Sequence, residues 1–395
     1  MKTVVIGAGI GGLATALGLA GSGLPVEVYE RAETFRAAGN GVILWPGATG
    51  ILKELGVDTT GLGRPMHRGE LLSSGGSLLV WTDMKEVSDR YGHDTLLVSR
   101  GDVVKRLGAA LPDGIVRFGK RCTSVRESAG GAIVEFEDGS RTEADVVVGA
   151  DGYRSAVRDV LLPGDSARFT GVATWHGVGA FPHELIGGTT ARTYFGKIGI
   201  CAVHPVGDGL LHWAFEAPWK PGGPRQGPWL PRLRQWFGDW HPAIRDLLAA
   251  VDEADVHVFP HALHTVRRRW GRGPLTLLGD AAHVIPPRAG MGANQALEDA
   301  WVLAHALAAG AADPPSALRA YEDARVKRVR RVASSAGWMS KSNNMLLMLR
   351  FIRRAVPMNR LTHATVRGGS NYLNDDLPAL SRKPGLPVAR RSQAR

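Results

Sequence analysis

Hydrophobic positions in this chain fall into short apolar runs separated by stretches of helical or alternating spacing. Thr3-Val4-Val5-Ile6 is rich in β-branched residues and reads as a strand covered on both faces. Residues 13–20 are small and apolar throughout and read as a helix, stopped by Gly21-Ser22-Gly23. Residues 25–30 read as the second strand. Two later runs, Asp145-Val146-Val147-Val148-Gly149 and Leu275-Thr276-Leu277-Leu278, predict further buried strands. They lead towards helix starts near Ser155 and near Gly292 respectively. Between them the period drops to two. Residues 191–195, 199–203 and 210–215 alternate as half-buried strands do, and Asp208-Gly209 is a hairpin turn signal. Residues 225–250 and 316–340 have helical character. The pattern predicts an α/β protein in which a smaller sheet-rich unit interrupts a strand–helix unit.

The first turn carries chemistry. Gly7-Ala8-Gly9-Ile10-Gly11-Gly12 contains G-x-G-x-x-G as Gly7, Gly9 and Gly12, between a strand and a helix. Gly7 permits the tight turn, Gly9 lets backbone approach a pyrophosphate, and Gly12 lets helix pack on strand. The helix start offers free N–H groups and a positive dipole end to phosphate. Glu30 closes the second strand, where a carboxylate can accept both ribose hydroxyls. An acid there disfavours a 2′-phosphate and leaves FAD or NAD as the dinucleotide. Asp151-Gly152 and Gly279-Asp280 are two further acid–glycine turns at strand ends, where open α/β sheets bind ligands. Each alone is ordinary turn chemistry; three in this order are not. Asp280 is placed to bond a ribityl hydroxyl. Gly290 and Gly292 would leave the next helix's first N–H groups uncovered beside a flat ring.

In this combination the sequence resembles the FAD-dependent single-component aromatic hydroxylases, the group that includes para-hydroxybenzoate and salicylate hydroxylases. The matching residues are the glycine motif with Glu30, Arg36 with Gly39-Asn40-Gly41, Ser99-Arg100 with Asp102-Val103, Asp151-Gly152, and Gly279-Asp280-Ala281-Ala282-His283 through Glu298-Asp299-Ala300. They span roughly residues 1–335. Met291 departs from the pattern, since many members carry Gln between the two glycines. The resemblance implies a Rossmann-type FAD-binding domain, discontinuous over 1–72, 98–165 and 272–310. A sheet-rich substrate domain takes 73–97 and 166–271, a basic helical segment 311–379, and a disordered tail 380–395. It also implies bound FAD, transient NADH or NADPH, and O2 consumed through a flavin C4a-hydroperoxide to hydroxylate or epoxidise an aromatic or other electron-rich small molecule. The implied FAD-binding residues are Gly7, Gly9, Gly11, Gly12, Glu30, Arg31, Arg36, Arg100, Val125, Asp151, Asp280, Gly290, Gly292, Ala293 and Asn294. Asp151-Gly152 would serve both FAD and the nicotinamide, for which no second glycine-rich unit is visible.

Candidates for catalysis come from the alternating strands. His176, Tyr194 and His212 are the titratable residues there that suit a base or hydrogen-bond acceptor for the substrate. Trp175, Trp213 and Phe215 suit either an aromatic pocket or a core. His283 reads as structural. No spacing suggests a metal site. The alternative is a flavin oxidoreductase that inserts no oxygen. The W-x-W-x-I-P signature of flavin-dependent halogenases is absent.

Composition adds limits. The chain has 395 residues, 44% hydrophobic and 22% charged, an ordinary globular balance. Cys122 and Cys201 are too few for a disulfide framework and suit a reducing, cytoplasmic setting. The net charge of +11 is concentrated at one end: residues 319–395 hold 17 Lys and Arg against four acids. The body is near neutral, so the charge is no argument for nucleic-acid binding. Residues 345–354 are apolar with arginines, a candidate for an acidic partner or an anionic surface, or for a helix packed on the body with solvated arginines. No apolar run approaches the ~20 residues of a membrane span. Met1-Lys2 and the apolar stretch after it imitate a secretory signal, but the glycine motif accounts for the same residues.

Overall fold

The Thr3–Ile6 strand is wholly buried at the centre of a five-stranded parallel sheet. Val146–Gly149 and Val26–Tyr29 pair with it on either side, and Leu275–Leu277 and Val116–Arg117 form the edges. β-Branched residues fill these strands because helices cover both faces. The structure, a computed structural model, describes residues 1–35, 40–181, 188–220, 227–339 and 356–377. Arg36 and Gly39, the apolar 345–354 stretch and the tail 380–395 lie outside them.

Helix Ile10–Gly21 packs on helix Gly292–Ala309. A three-stranded antiparallel sheet, Cys122–Ser128, Gly131–Phe136 and Arg141–Ala144, flanks the parallel one. Ser155 caps helix Ala156–Leu161 by accepting the Arg158 N–H, at the helix start expected from sequence. The helix expected at 316–340 runs Pro314–Met339. Arg325 on it is fully buried.

The inserted unit is an eight-stranded mixed sheet. Its order is His257–Leu263, Arg168–Ala180, Leu210–Pro218, Ile200–Gly207, Thr190–Phe195, Arg68–Ser73, Leu78–Asp83 and Val356–Pro357. Asp208 and Gly209 both take positive φ, 51° and 71°, as a tight primed hairpin requires. Two boundaries differ from the sequence reading. The sheet begins at Arg68, and its last strand comes from the C-terminal segment, through Val356↔Val80 and Pro357↔Trp81 pairs. The region 225–250 is two helices, Leu230–Phe237 and Pro242–Ala250, because Gly238 and Pro242 interrupt the spacing.

These two helices cover the outer face of the sheet. Trp175, Trp213, Phe215 and Tyr194 point to that face and pack with Leu233, Phe237 and Leu247. Phe237 is fully buried, with its ring centroid 5.0 Å from that of Phe215 and 4.8 Å from that of Trp240. Removing it leaves a large cavity under the sheet. Phe237→Ala is expected to cost about 3–5 kcal/mol in urea unfolding; a loss below ~1 kcal/mol would show that this layer contributes little.

Candidate active site

One cavity of about 610 Å³ runs from the ends of the parallel strands to the inner face of the eight-stranded sheet. Two helix N-termini open onto its first half. Helix Ile10–Gly21 starts after Gly9, and helix Gly292–Ala309 starts after Met291. Neither has a side-chain cap or an acid in its first turn. Gly9, Gly11, Gly292 and Ala293 line the cavity, so uncapped N–H groups and positive dipole ends are presented to it. The turn depends on two glycines. Gly7 has φ +106°, and a Cβ there would lie 2.5 Å from the Ala150 carbonyl oxygen. A Cβ on Gly12 would strike the Gly7 carbonyl oxygen.

Arg100 also lines this half, with its backbone N–H held by the Asn40 carbonyl at 2.9 Å. Asp280 faces Gly292 across the cradle. Its surface is open to the cavity although protein surrounds it. Burial pushes its carboxyl above the ordinary 3.8, against the pull of His283 and Arg100. Gly290 takes the left-handed conformation, φ 58°, at the end of the short Pro287–Ala289 helix.

The other residues expected at the cofactor hold this frame. Glu30 Oε2 accepts the Ala8 N–H at 2.8 Å and Oε1 the Ala32 N–H at 2.9 Å, locking the glycine loop to the second strand. Arg31 lies exposed beside it. Asp151 Oδ2 accepts the Ala156 N–H at 2.8 Å, while Oδ1 is buried with no partner among the described residues. Asn294 accepts the Trp45 N–H and donates to Ile43 and Gly290 carbonyls, so it braces the Gly290 loop. The Val125 side chain is buried in the core of the parallel-sheet domain. Arg36 lies outside the described residues.

His283, read as structural, lies 2.6 Å from Asp299 Oδ2, which also accepts the Gly279 N–H at 2.8 Å. Asp299 Oδ1 accepts from Arg325 Nε at 2.6 Å. Burial alone would raise the Asp299 carboxyl, but His283 and Arg325 overcome it and hold it at about 2.

The second half of the cavity is the sheet's inner face. Strand alternation sends Thr174 and His176, His212 and Ala214, Thr193 and Phe195 to the cavity. The expectation for Tyr194 is therefore corrected: its side chain points away, into the outer core beside His241. Trp175, Trp213 and Phe215 likewise serve packing. The imidazoles form a row across four adjacent strands. Ring centroids are 5.9 Å apart for His257–His176, 6.2 Å for His176–His212 and 5.8 Å for His212–His204. Burial, with help from His257, lowers His176 to about 4, and burial lowers His204 to about 4. Burial first, then His204 and His176, puts His212 well below 6.5. His176, His204 and His212 are neutral near pH 7, and Nδ1 of His176 and of His212 has no partner among the described residues. Gly41 makes room for the His212 ring, which a Cβ there would strike.

Sequence reasoning missed several of these groups. His204 shares the parity of Ile200 and Ala202, which would have exposed it. Arg288 follows the Pro286-Pro287 pair and forms a buried ion pair with Glu216. His261 binds Thr174 Oγ1 at 2.6 Å behind it. Met358 and Thr362 reach the cavity from the C-terminal segment, where no local pattern announces them.

Two uncapped helix ends, a carboxylate beside one of them and a flat apolar space beyond define a site for a dinucleotide carrying a planar ring. The chain belongs to the FAD binding domain family, which it matches over residues 1–336. FAD is the cofactor of that family, and the two uncapped helix N-termini on one cavity fit an anionic dinucleotide. The chain is 35% identical over 351 residues to 3-amino-4-hydroxybenzoate 2-monooxygenase of Streptomyces platensis, covering 84% of this chain and 85% of that protein. It is 32% identical over 360 residues to 6-hydroxynicotinate 3-monooxygenase of Bordetella bronchiseptica, covering 87% and 93%. Among solved structures it is similar to Klebsiella pneumoniae HpxO complexed with FAD and uric acid, with TM-score 0.83, 28% identity and 97% coverage of both chains. Among the described residues no helix is long and apolar enough to cross a membrane, and no three His, Cys, Asp or Glu are placed to hold a metal.

The buried imidazoles set an acid limit to stability. His176, His261 and His264 are lowered by burial to about 4, 3 and 4, whereas unfolded histidines titrate near 6.5. The unfolded chain therefore takes up protons first as pH falls. Their contribution is complete above pH 6.5 and is lost as pH drops from there towards 4. Urea midpoints are expected to fall between pH 7 and 5, and His176→Gln to flatten the slope by about one proton. An unchanged slope would show that His176 is not held neutral.

Proposed function

We propose that this protein is an FAD-dependent monooxygenase that uses NADH or NADPH and O2 to hydroxylate an electron-rich aromatic small molecule. The observation that carries the reading is a cavity continuous from two uncapped helix N-termini to a sheet face that bears the neutral His176, His204 and His212. Monooxygenase activity in the two relatives named above supports it. The paired absence of disulfides and of a long apolar helix among the described residues suits a cytoplasmic setting.

Bound in the cradle, FAD supplies the exchange of electrons with nicotinamide and the activation of O2. The chain's own groups do the rest. The uncapped N-terminus at Gly292 would stabilise negative charge on a ring held in the cradle. Apolar side chains, among them Phe195, Ile200 and Phe259, exclude water from the reacting space. The neutral His176 and His212 rings each offer a nitrogen that can accept a hydrogen bond from a ring hydroxyl and so orient it. The Arg288–Glu216 pair fixes the Pro287–Ala289 turn at the cavity without leaving a net charge there.

His212→Phe is expected to keep FAD bound and to lower kcat on an accepted hydroxyarene by about tenfold, the loss of one orienting hydrogen bond. The experiment supplies ¹⁸O2 and NADPH or NADH with a panel of hydroxyarenes. One labelled oxygen in the product supports the reading. Label only in water or peroxide, with an oxidised but unhydroxylated product, would place the protein with flavin oxidoreductases that insert no oxygen.

A further inference from the structure

The family match ends at residue 336, yet part of the cavity wall comes from residues 356–377. This segment is fastened at both ends. At its start, Val356–Pro357 extends the eight-stranded sheet and the Met358 N–H donates to the Trp81 carbonyl at 2.9 Å. Asn359 accepts the Asp83 N–H at 3.0 Å and donates to Glu86 at 2.7 Å, and His363 lies 2.9 Å from the same Glu86 carboxylate. At its far end, Glu298 accepts the Asn371 N–H at 2.8 Å and the Tyr372 N–H at 3.1 Å, and Arg325 donates to Asn371 at 2.7 Å. The segment thus spans from the sheet edge to the helix that bears the flavin cradle. Between these fastenings Met358 and Thr362, one helical turn apart, face the cavity.

We propose that Met358 and Thr362 are specificity-determining residues, and that they enclose an outer compartment taking an uncharged, apolar extension of the aromatic substrate, such as a fused second ring. The proposal rests on the monooxygenase reading of the same cavity. Met66, Met84, Trp45 and Trp81 complete the compartment, a wall of adaptable thioethers and flat rings that suits an aromatic body. Thr82 and Thr362, which also line this part of the cavity, bring two uncharged hydroxyls within 3.4 Å of each other. Glu70 lines the cavity and accepts from Arg68 at 2.6 Å and from Arg192 at 3.2 Å, and Arg68 also stacks over Trp81 at 4.6 Å. Those guanidiniums are engaged. The arginines that line the cavity itself, Arg100 and Arg288, belong to the cofactor cradle and to the Glu216 pair. A carboxylate on the substrate would meet Glu70 here and no cation lining the compartment among the described residues. The hydroxybenzoate and hydroxynicotinate named for the two relatives both carry such a group.

The test uses FAD-loaded protein and follows the flavin absorbance change on titration with phenol, 2-naphthol and 3-hydroxy-2-naphthoate. The expected order is 2-naphthol tightest, with both others weaker by about tenfold or more. Met358→Trp, which fills the compartment, is expected to weaken 2-naphthol by about tenfold and phenol by less than about threefold. Met358→Ala, the gentler change, is expected to weaken 2-naphthol by about fivefold and leave phenol alone. The proposal is overturned if either variant, with FAD content and melting temperature retained, binds all three probes as the parent does. It is also overturned if the naphthoate binds best or if no probe binds. Failure of the parent protein to hold FAD would instead strike the monooxygenase reading, and the two failures are read separately.

Discussion

Two helix N-termini pointing into one space, with no side chain to satisfy them, are the constraint on which the rest of the structure depends. Each leaves backbone N–H groups that need an acceptor, and each adds a positive dipole end. The arrangement requires the strand-to-helix turn at Gly7, where any side chain would run into Ala150, and the close packing of helix Ile10–Gly21 on helix Gly292–Ala309. Glu30, Asn294 and the Asp299–His283–Arg325 cluster then act as braces. They hold the glycine loop, the Gly290 loop and the Gly279 turn at fixed places round the cradle. An anionic dinucleotide supplies what these helix ends lack.

The opposite wall is decided by a different rule, the two-residue period of strands. Each strand of the large sheet sends one set of side chains to the outer helices and the other to the cavity. The bulky aromatics Trp175, Trp213 and Phe215 fall on the outer set and make the core. The histidines fall on the inner set. Burial keeps them neutral, so the cavity gains hydrogen-bonding nitrogens without gaining charge. That combination suits a reaction on an electron-rich ring that water would spoil.

Much of the cradle was legible in the sequence because its chemistry is local. Gly7 to Gly12, Glu30, the Gly279-Asp280 turn and the Gly290–Asn294 stretch lie on continuous stretches whose turns need those residue types. The sheet was legible as alternation, but which parity faced inward was not, since His176, Tyr194 and His212 all look alike as polar residues on apolar strands. The structure separates them: Tyr194 belongs with the outward set. Arg288 and Glu216 were hidden because an ion pair 72 positions apart leaves no local trace. The C-terminal contribution was hidden for the same reason. Val356–Pro357 is a two-residue strand, and its partner Leu78–Asp83 lies far back in the chain.

The central claim is that the helix end at Gly9, and not the apolar pocket alone, holds the cofactor through its pyrophosphate. Equilibrium titration of apoprotein with FAD and with riboflavin, followed by flavin fluorescence, measures this directly. Riboflavin shares the ring and ribityl chain but lacks the pyrophosphate and adenosine. The account predicts that FAD binds at least about a hundredfold more tightly, a difference of roughly 2.7 kcal/mol, and that added salt narrows the gap. Equal affinities for the two, unaffected by salt, would contradict it.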